Sequence, residues 1–118
     1  MTTSRRDPIV LEERTEAPGA EIRLRVPGDL EYFAGHFPGV PIVPGVVQVQ
    51  WAIAFARRCL GVPGEFAGME ALKFHRVMAP ETEATLSLRY SAETAKLHFS
   101  FQSDQGRHSS GRILLRAP

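Results

Sequence analysis

The chain has one cysteine, Cys59, in 118 residues, so no disulfide can form within it. That usage fits a reducing compartment, and a cytoplasmic location is the expectation. Charge of one sign is missing as well. Fourteen Lys and Arg stand against thirteen Asp and Glu, a net charge of +1, and no basic run exceeds two residues. This balance argues against a dedicated nucleic-acid binder and against a polybasic membrane patch. The first residues, MTTSRRDPIV, lack the apolar region of a signal peptide. No apolar run reaches the roughly 18 residues needed to span a bilayer. No pair of histidines shows metal-ligand spacing, and one cysteine supplies no thiolate cluster, so neither a metal nor another cofactor is expected. Repeats and low-complexity linkers are absent too.

What remains is 43% hydrophobic and 23% charged, as in a globular protein, with a length suited to one domain over 1–118. Pro8 to Glu13 reads as an edge strand, followed by a turn at Ala17 to Ala20. In AEIRLRV, Ile22, Leu24 and Val26 alternate with Glu21, Arg23 and Arg25, the pattern of a half-buried strand. Asp29 caps an expected helical turn, Leu30 to Ala34. A helix is predicted from near Pro44 to about Leu60, stopped by Gly61 and Pro63. Its residues are apolar nearly all round until Arg57 and Arg58, which predicts burial on nearly all sides, Gln50 included. Four strands are predicted after it: Met69 to Met78, Ala84 to Tyr90, Ala95 to Gln102 and Arg107 to Arg116. One helix and about six antiparallel strands predict an α+β fold, a sheet curled round the helix.

Between Gly35 and Pro44 lies a stiff loop, GHFPGVPIVP, with His36 inside it. The helix that follows carries Gln48 and Gln50, about 200° apart round its axis, so only one of them can share a site with His36. Gln48 reads as a packing or backbone-bonding residue. A buried amide without a partner costs on the order of 1–3 kcal/mol, so either glutamine needs one. Of the other histidines, His98 falls on the polar face of its strand, His75 sits beside Phe74, and His108 is expected to be solvated near a Gly-containing turn. Cys59 has no evident base and no expected nucleophile role.

GHFPGVPIVPGV closely resembles the active-site signature of bacterial 3-hydroxyacyl-acyl-carrier-protein dehydratases, and ALKFHRVMAPETEATLSL extends the likeness to a later strand pair. The form PGVVQVQWA is closer to the small dehydratase-like proteins of aryl-polyene pigment pathways. The resemblance spans roughly Tyr32 to Leu88 and implies a hotdog fold and a dimer, either a homodimer or a heterodimer with a paralogue. Each site would combine the histidine loop of one chain with a helix residue of the other. It also implies an acyl thioester on acyl carrier protein or coenzyme A as substrate. His36 would be the base, suited to it by an imidazole that titrates near neutrality. The Gly45 N–H would hold the thioester oxygen. Phe37, Val46 and Phe74 would contact substrate, and Arg57, Arg58, Lys73 and Arg76 would meet the carrier.

The family places Glu or Asp fourteen residues after the histidine, where this chain has Gln50. A glutamine amide forms hydrogen bonds but transfers no proton under working conditions. The expectation is therefore a slow dehydratase or a non-catalytic subunit of an active one, with a hotdog thioesterase as a further alternative. Glu31 and Glu70 are the carboxylates that stand near enough in sequence to substitute for the missing acid.

Overall fold

The computed structural model describes residues 6–30 and 42–116. The expected helical turn after Leu30 and the loop carrying His36 fall outside them. Alternation sets the strand that organises the sheet: Ile22, Leu24 and Val26 are fully buried while Glu21 and Arg23 face solvent. The elements are β1 (Ile9–Glu16), β2 (Gly19–Arg25), α1 (Gly45–Leu60), β3 (Glu65–Phe74), β4 (Glu83–Ser91), β5 (Lys96–Ser103) and β6 (Gly106–Arg116). The strands form one antiparallel sheet in the order β1-β2-β4-β5-β6-β3.

The chain leaves β2, passes through α1 to the far edge as β3, and returns beside β2 as β4. The helix is thereby laid across one face of the sheet. Leu86, Leu88, Leu97, Phe99, Phe101, Ile113 and Leu115 supply that face from three successive strands. Val47, Val49, Trp51, Ala52, Phe55 and Ala56 of α1 pack onto it. Each large buried side chain among them contributes about 1.5–3 kcal/mol. This total outweighs the poor helix propensity of the valines.

The helix ends as its sequence foretells, with Gly61 left-handed at φ 60° and its N–H bonded to the Arg57 carbonyl. Its burial does not match the expectation. Val46 is 65% exposed, and Gln50, Ala54 and Arg57 continue an open strip along the same side. The cause is geometric, because one sheet covers little more than half the circumference of one helix.

β3 also begins and ends earlier than predicted. Glu65 and Phe66 pair with Arg116 and Leu115, so the strand starts four residues before Met69. After Phe74 the N–H groups of His75 and Arg76 both turn to the carbonyl of His108, and the chain leaves the sheet. Among the described residues no helix is long and apolar enough to cross a membrane.

Candidate active site

The start of α1 is fixed by a buried polar network. Val43 donates its N–H to the Met78 carbonyl at 2.8 Å. The Gln48 amide nitrogen donates to the Val43 carbonyl at 3.1 Å, and its oxygen accepts from the Ser109 hydroxyl at 2.6 Å. Gln48 is 2% exposed and Ser109 fully buried, so the amide expected to bond backbone does so.

Beside it, His108 is fully buried, contrary to its expected solvation. One ring nitrogen, Nδ1, lies 3.0 Å from the Val77 carbonyl, and Nε2 lies 2.7 Å from Ser103 Oγ. A carbonyl can only accept, so Nδ1–H donates to Val77, and the Ser103 hydroxyl, which can donate or accept, partners Nε2. The turn near His108 is solvated, but a bulge between the Phe101–Ser109 and Gln102–Arg107 pairs turns this residue inward beside Ser109. Together His108 and Ser109 tie the Val77–Met78 segment and the helix entry to one point on β6.

That anchoring presents the first turn of α1 to a groove of about 450 Å³ between the helix and β3. Its walls are Gly45, Val46, Val49, Gln50, Ile53, Phe66, Met69, Leu72 and Phe74. The Phe74 ring lies directly on Gly45; a β-carbon there would come 2.7 Å from Phe74 Cε1. Only glycine allows that approach. The first-turn N–H groups of a helix have no partner within it, and here no side chain caps them and no acidic residue stands in the first turn. The N-terminal end of α1 is thus electropositive at the groove's Gly45 end. Gln50, just over one turn along, is the one polar side chain among the lining residues, and none of them is ionisable.

Gly45, Val46, Gln50 and Phe74 are therefore brought together. His36, Phe37 and Glu31 lie outside the described residues. The four cations assigned to a carrier separate. Arg57 and Arg58 stand on the last turn, about 18 Å along the helix from Gly45. Arg57 donates to the Gly64 carbonyl at 3.0 Å, while Arg58 pairs with Glu13 and lies 4.8 Å over the Phe55 ring. Lys73 and Arg76 are exposed at the other end, around Phe74.

Glu70 is not among the groove's walls. It meets Lys96 at 3.1 Å and Arg112 at 3.3 Å. The hydrogen bond from Lys96, with the charges of Lys96 and Arg112, holds its carboxyl below the ordinary value. A carboxyl kept ionised in this way is a poor proton donor. His98 is exposed, as its strand face foretold, and His75 is exposed too. Cys59 is half-buried against the core. Ser109 was not singled out from sequence, and its only signal is that it shares the strand face of Ile113 and Leu115; His108 was read as solvated because the bulge that buries it is not visible in the alternation.

Residues 12–112 match the family model described as ApeI-like: ApeI dehydratase. The chain is 31% identical over 107 residues to the 3-hydroxyacyl-acyl-carrier-protein dehydratase FabZ of Erythrobacter litoralis, covering 79% of this chain and 70% of that protein. Among solved structures it is similar to the dehydratase heterocomplex ApeI:P from Xenorhabdus doucetiae, with a TM-score of 0.86, 31% identity, and coverage of 92% of this chain and 97% of that one. It is likewise similar to an uncharacterized protein from Erwinia carotovora, with a TM-score of 0.84, 31% identity, and coverage of 94% and 97%. The R-hydratase PhaJ1 of Pseudomonas aeruginosa, at 16% identity and a TM-score of 0.60, shares the fold.

Proposed function

The chain belongs to the ApeI-like dehydratase family, and from that premise we propose that it binds a 3-hydroxyacyl thioester in the α1–β3 groove and dehydrates it slowly for want of a carboxylic acid. The observation that carries the reading is Gln50, the one polar side chain on an otherwise apolar wall that begins at the Gly45 amide. An apolar groove suits an acyl chain, and an electropositive helix end suits the charge that develops on a thioester oxygen.

The reaction removes a proton from C2 and hydroxide from C3, leaving a 2-enoyl thioester and water. His36 takes the C2 proton, and the electron pair delocalises onto the thioester oxygen held by the Gly45 N–H. The C3–O bond then breaks as the C2–C3 double bond forms. The leaving hydroxide needs a proton, and Gln50 supplies none. The proton balance closes if the His36 imidazolium returns the proton it took, while the Gln50 amide holds the hydroxyl in place. One group then serves as base and acid in turn.

Replacing a proton donor by a bystander typically costs about 10²–10⁴ in rate. Gln50→Glu is nearly isosteric and restores a carboxyl able to give a proton to the leaving hydroxide. We expect it to speed dehydration, or the reverse hydration of a 2-enoyl thioester, by at least about tenfold. His36→Ala abolishes turnover in both backgrounds. The assay follows enoyl-thioester absorbance. A fast wild type slowed by Gln50→Glu would sink the reading.

A second reading is favoured by the similar Xenorhabdus structure, which is a heterocomplex. Paired with a paralogue that keeps the helix carboxylate, His36 of this chain completes one competent site, and Gln50 leaves the other without an acid. Turnover that appears only on mixing with such a paralogue, and that His36→Ala removes, supports this reading over the first.

A further inference from the structure

Two peptide planes set the direction of the Gly45 N–H, and Pro44 stands between them. Its ring fixes φ at −59°. Its carbonyl accepts from the N–H groups of Val47 at 3.0 Å and Gln48 at 3.2 Å. The Pro44–Gly45 peptide is trans, so the Gly45 N–H points the opposite way, off the end of the helix. The preceding plane, Val43–Pro44, is held by its own carbonyl, which accepts from Gln48 Nε2 at 3.1 Å. Gln48 therefore grips both planes, one through its backbone and one through its side chain. An apolar residue at that position would supply the first bond only.

Gln48 is held in turn. Ser109 Oγ donates to Gln48 Oε1 at 2.6 Å, and both residues are buried. An amide engaged at both ends has one orientation, and hydrogen bonds in series strengthen one another at low dielectric. The backbone of Ser109 is paired with Phe74, whose ring lies on Gly45. One residue of β6 thus fixes both the amide and the aromatic ring beside it. Neither Gln48 nor Ser109 lines the groove, so neither can act on a substrate there except through Gly45. A Ser or Asp at the cap position would stabilise the helix start more directly, but its oxygen would take up an N–H of the first turn. Pro44 makes no side-chain cap bond, and the clamp fixes the helix start from behind instead.

We propose that Gln48 and Ser109 are positioning residues for the Gly45 N–H: the chain from the Ser109 hydroxyl through the Gln48 amide to the Val43 carbonyl holds that N–H where a thioester oxygen can meet it. The inference rests on the preceding reading, in which the Gly45 N–H carries the charge that develops on that oxygen.

The test compares the full chain with Gln48→Leu, Ser109→Ala, their double variant, and Ser110→Ala, a change at the next serine, which lines a hollow on the opposite face of the sheet. The probe is a saturated acyl thioester of pantetheine, which has no hydroxyl to lose and cannot dehydrate. Its carbonyl stretch is read by isotope-edited infrared spectroscopy at saturating ligand. Donation from the Gly45 N–H polarises the carbonyl, so the wild type should lower the frequency relative to the free probe. Gln48→Leu should lose at least about half of that lowering and Ser109→Ala a smaller part, while the double variant loses no more than Gln48→Leu, because the two changes break one chain. Ser110→Ala should match the wild type.

Turnover of a pantetheine-linked 3-hydroxyacyl thioester is measured alongside. Gln48→Leu should lower kcat by at least about tenfold and change KM less than about twofold, the pattern of a contact made in the transition state. Both readouts are taken below the melting temperature of every variant, so lost stability alone moves neither. Should Gln48→Leu not fold, Ser109→Ala decides by the same readouts. The proposal is overturned if the wild-type frequency equals that of the free probe, if Gln48→Leu and Ser109→Ala keep the wild-type frequency, or if Ser110→Ala loses as much as Ser109→Ala. A lowered frequency that depends on Gln48, in a protein that turns nothing over, supports the positioning role and counts against the dehydration reading.

Discussion

At the scale of single residues, two glutamines two positions apart have opposite fates. Gln48 has both ends of its amide satisfied in the interior, and Gln50 stands on an open apolar wall. Removing Gln48 strands the Val43 carbonyl and the Ser109 hydroxyl. Gln48→Leu is expected to destabilise the protein by about 1–3 kcal/mol in urea unfolding, the cost of buried polar groups left unpaired. Ser109→Ala should cost less, and the double variant less than the sum, because the two changes remove one shared bond. An additive result would show that the bond contributes nothing. Gly45 is equally constrained. Gly45→Ala drives a methyl into the Phe74 ring and should depress both stability and thioester turnover, while Phe74→Leu in the same background should recover part of the stability.

At the scale of elements, α1 and β3 present their apolar sides outward together. Val46 and Ile53 of the helix face Phe66, Met69 and Phe74 of the strand, and Phe66 and Phe74 are about half exposed in a single chain. Contiguous apolar surface of this kind marks an interaction site. β3 is moreover an edge strand, with backbone groups free to pair. The expected outcome of analytical ultracentrifugation at micromolar concentration is a species of twice the 13.1 kDa chain mass. Ile53→Glu should shift it toward the monomer by placing a charge in the contact. A wild-type monomer would remove the basis for a shared site.

The outer face of the same strand carries a titratable contact. Glu70 has its carboxyl pKa lowered chiefly by the hydrogen bond from Lys96. A depressed carboxylate adds stability that is present above its unfolded value and is lost as pH falls through the folded one. Melting temperature should therefore drop on acidification from about pH 5 downward, and Glu70→Gln should flatten that part of the profile. The exposed setting keeps the effect small.

At the scale of the whole molecule, the sheet separates two surfaces by chemistry. The face toward α1 is apolar and ends in the groove; the face away from it carries Lys73, Arg107 and Arg112, with Arg89 and His98 in register beside Arg112.

Local chemistry determined much of this protein. Alternation in AEIRLRV, the Gly61 stop and the apolar run after Pro44 are short-range signals, and each element they announce is present in the fold. GHFPGVPIVPGV pointed to the dehydratases because its glycines, prolines and histidine occur in a fixed order, and the family match bears that out. The expectation that Gln50 stands where the dehydratases carry a carboxylate rests on the same fixed order, fourteen residues after His36. Other features depend on what lies across the sheet. Whether the apolar helix is covered all round depends on how far one sheet can wrap it, and sequence does not carry that distance. His108 lies beside a polar turn yet is buried, because its partners Val77 and Ser103 are brought to it by the fold. The fate of Glu70 was decided by Lys96 and Arg112, which are 26 and 42 positions away along the chain. The cationic face is the plainest case. Its residues are scattered over four strands with no run in sequence, and only antiparallel register sets Arg89, His98 and Arg112 side by side.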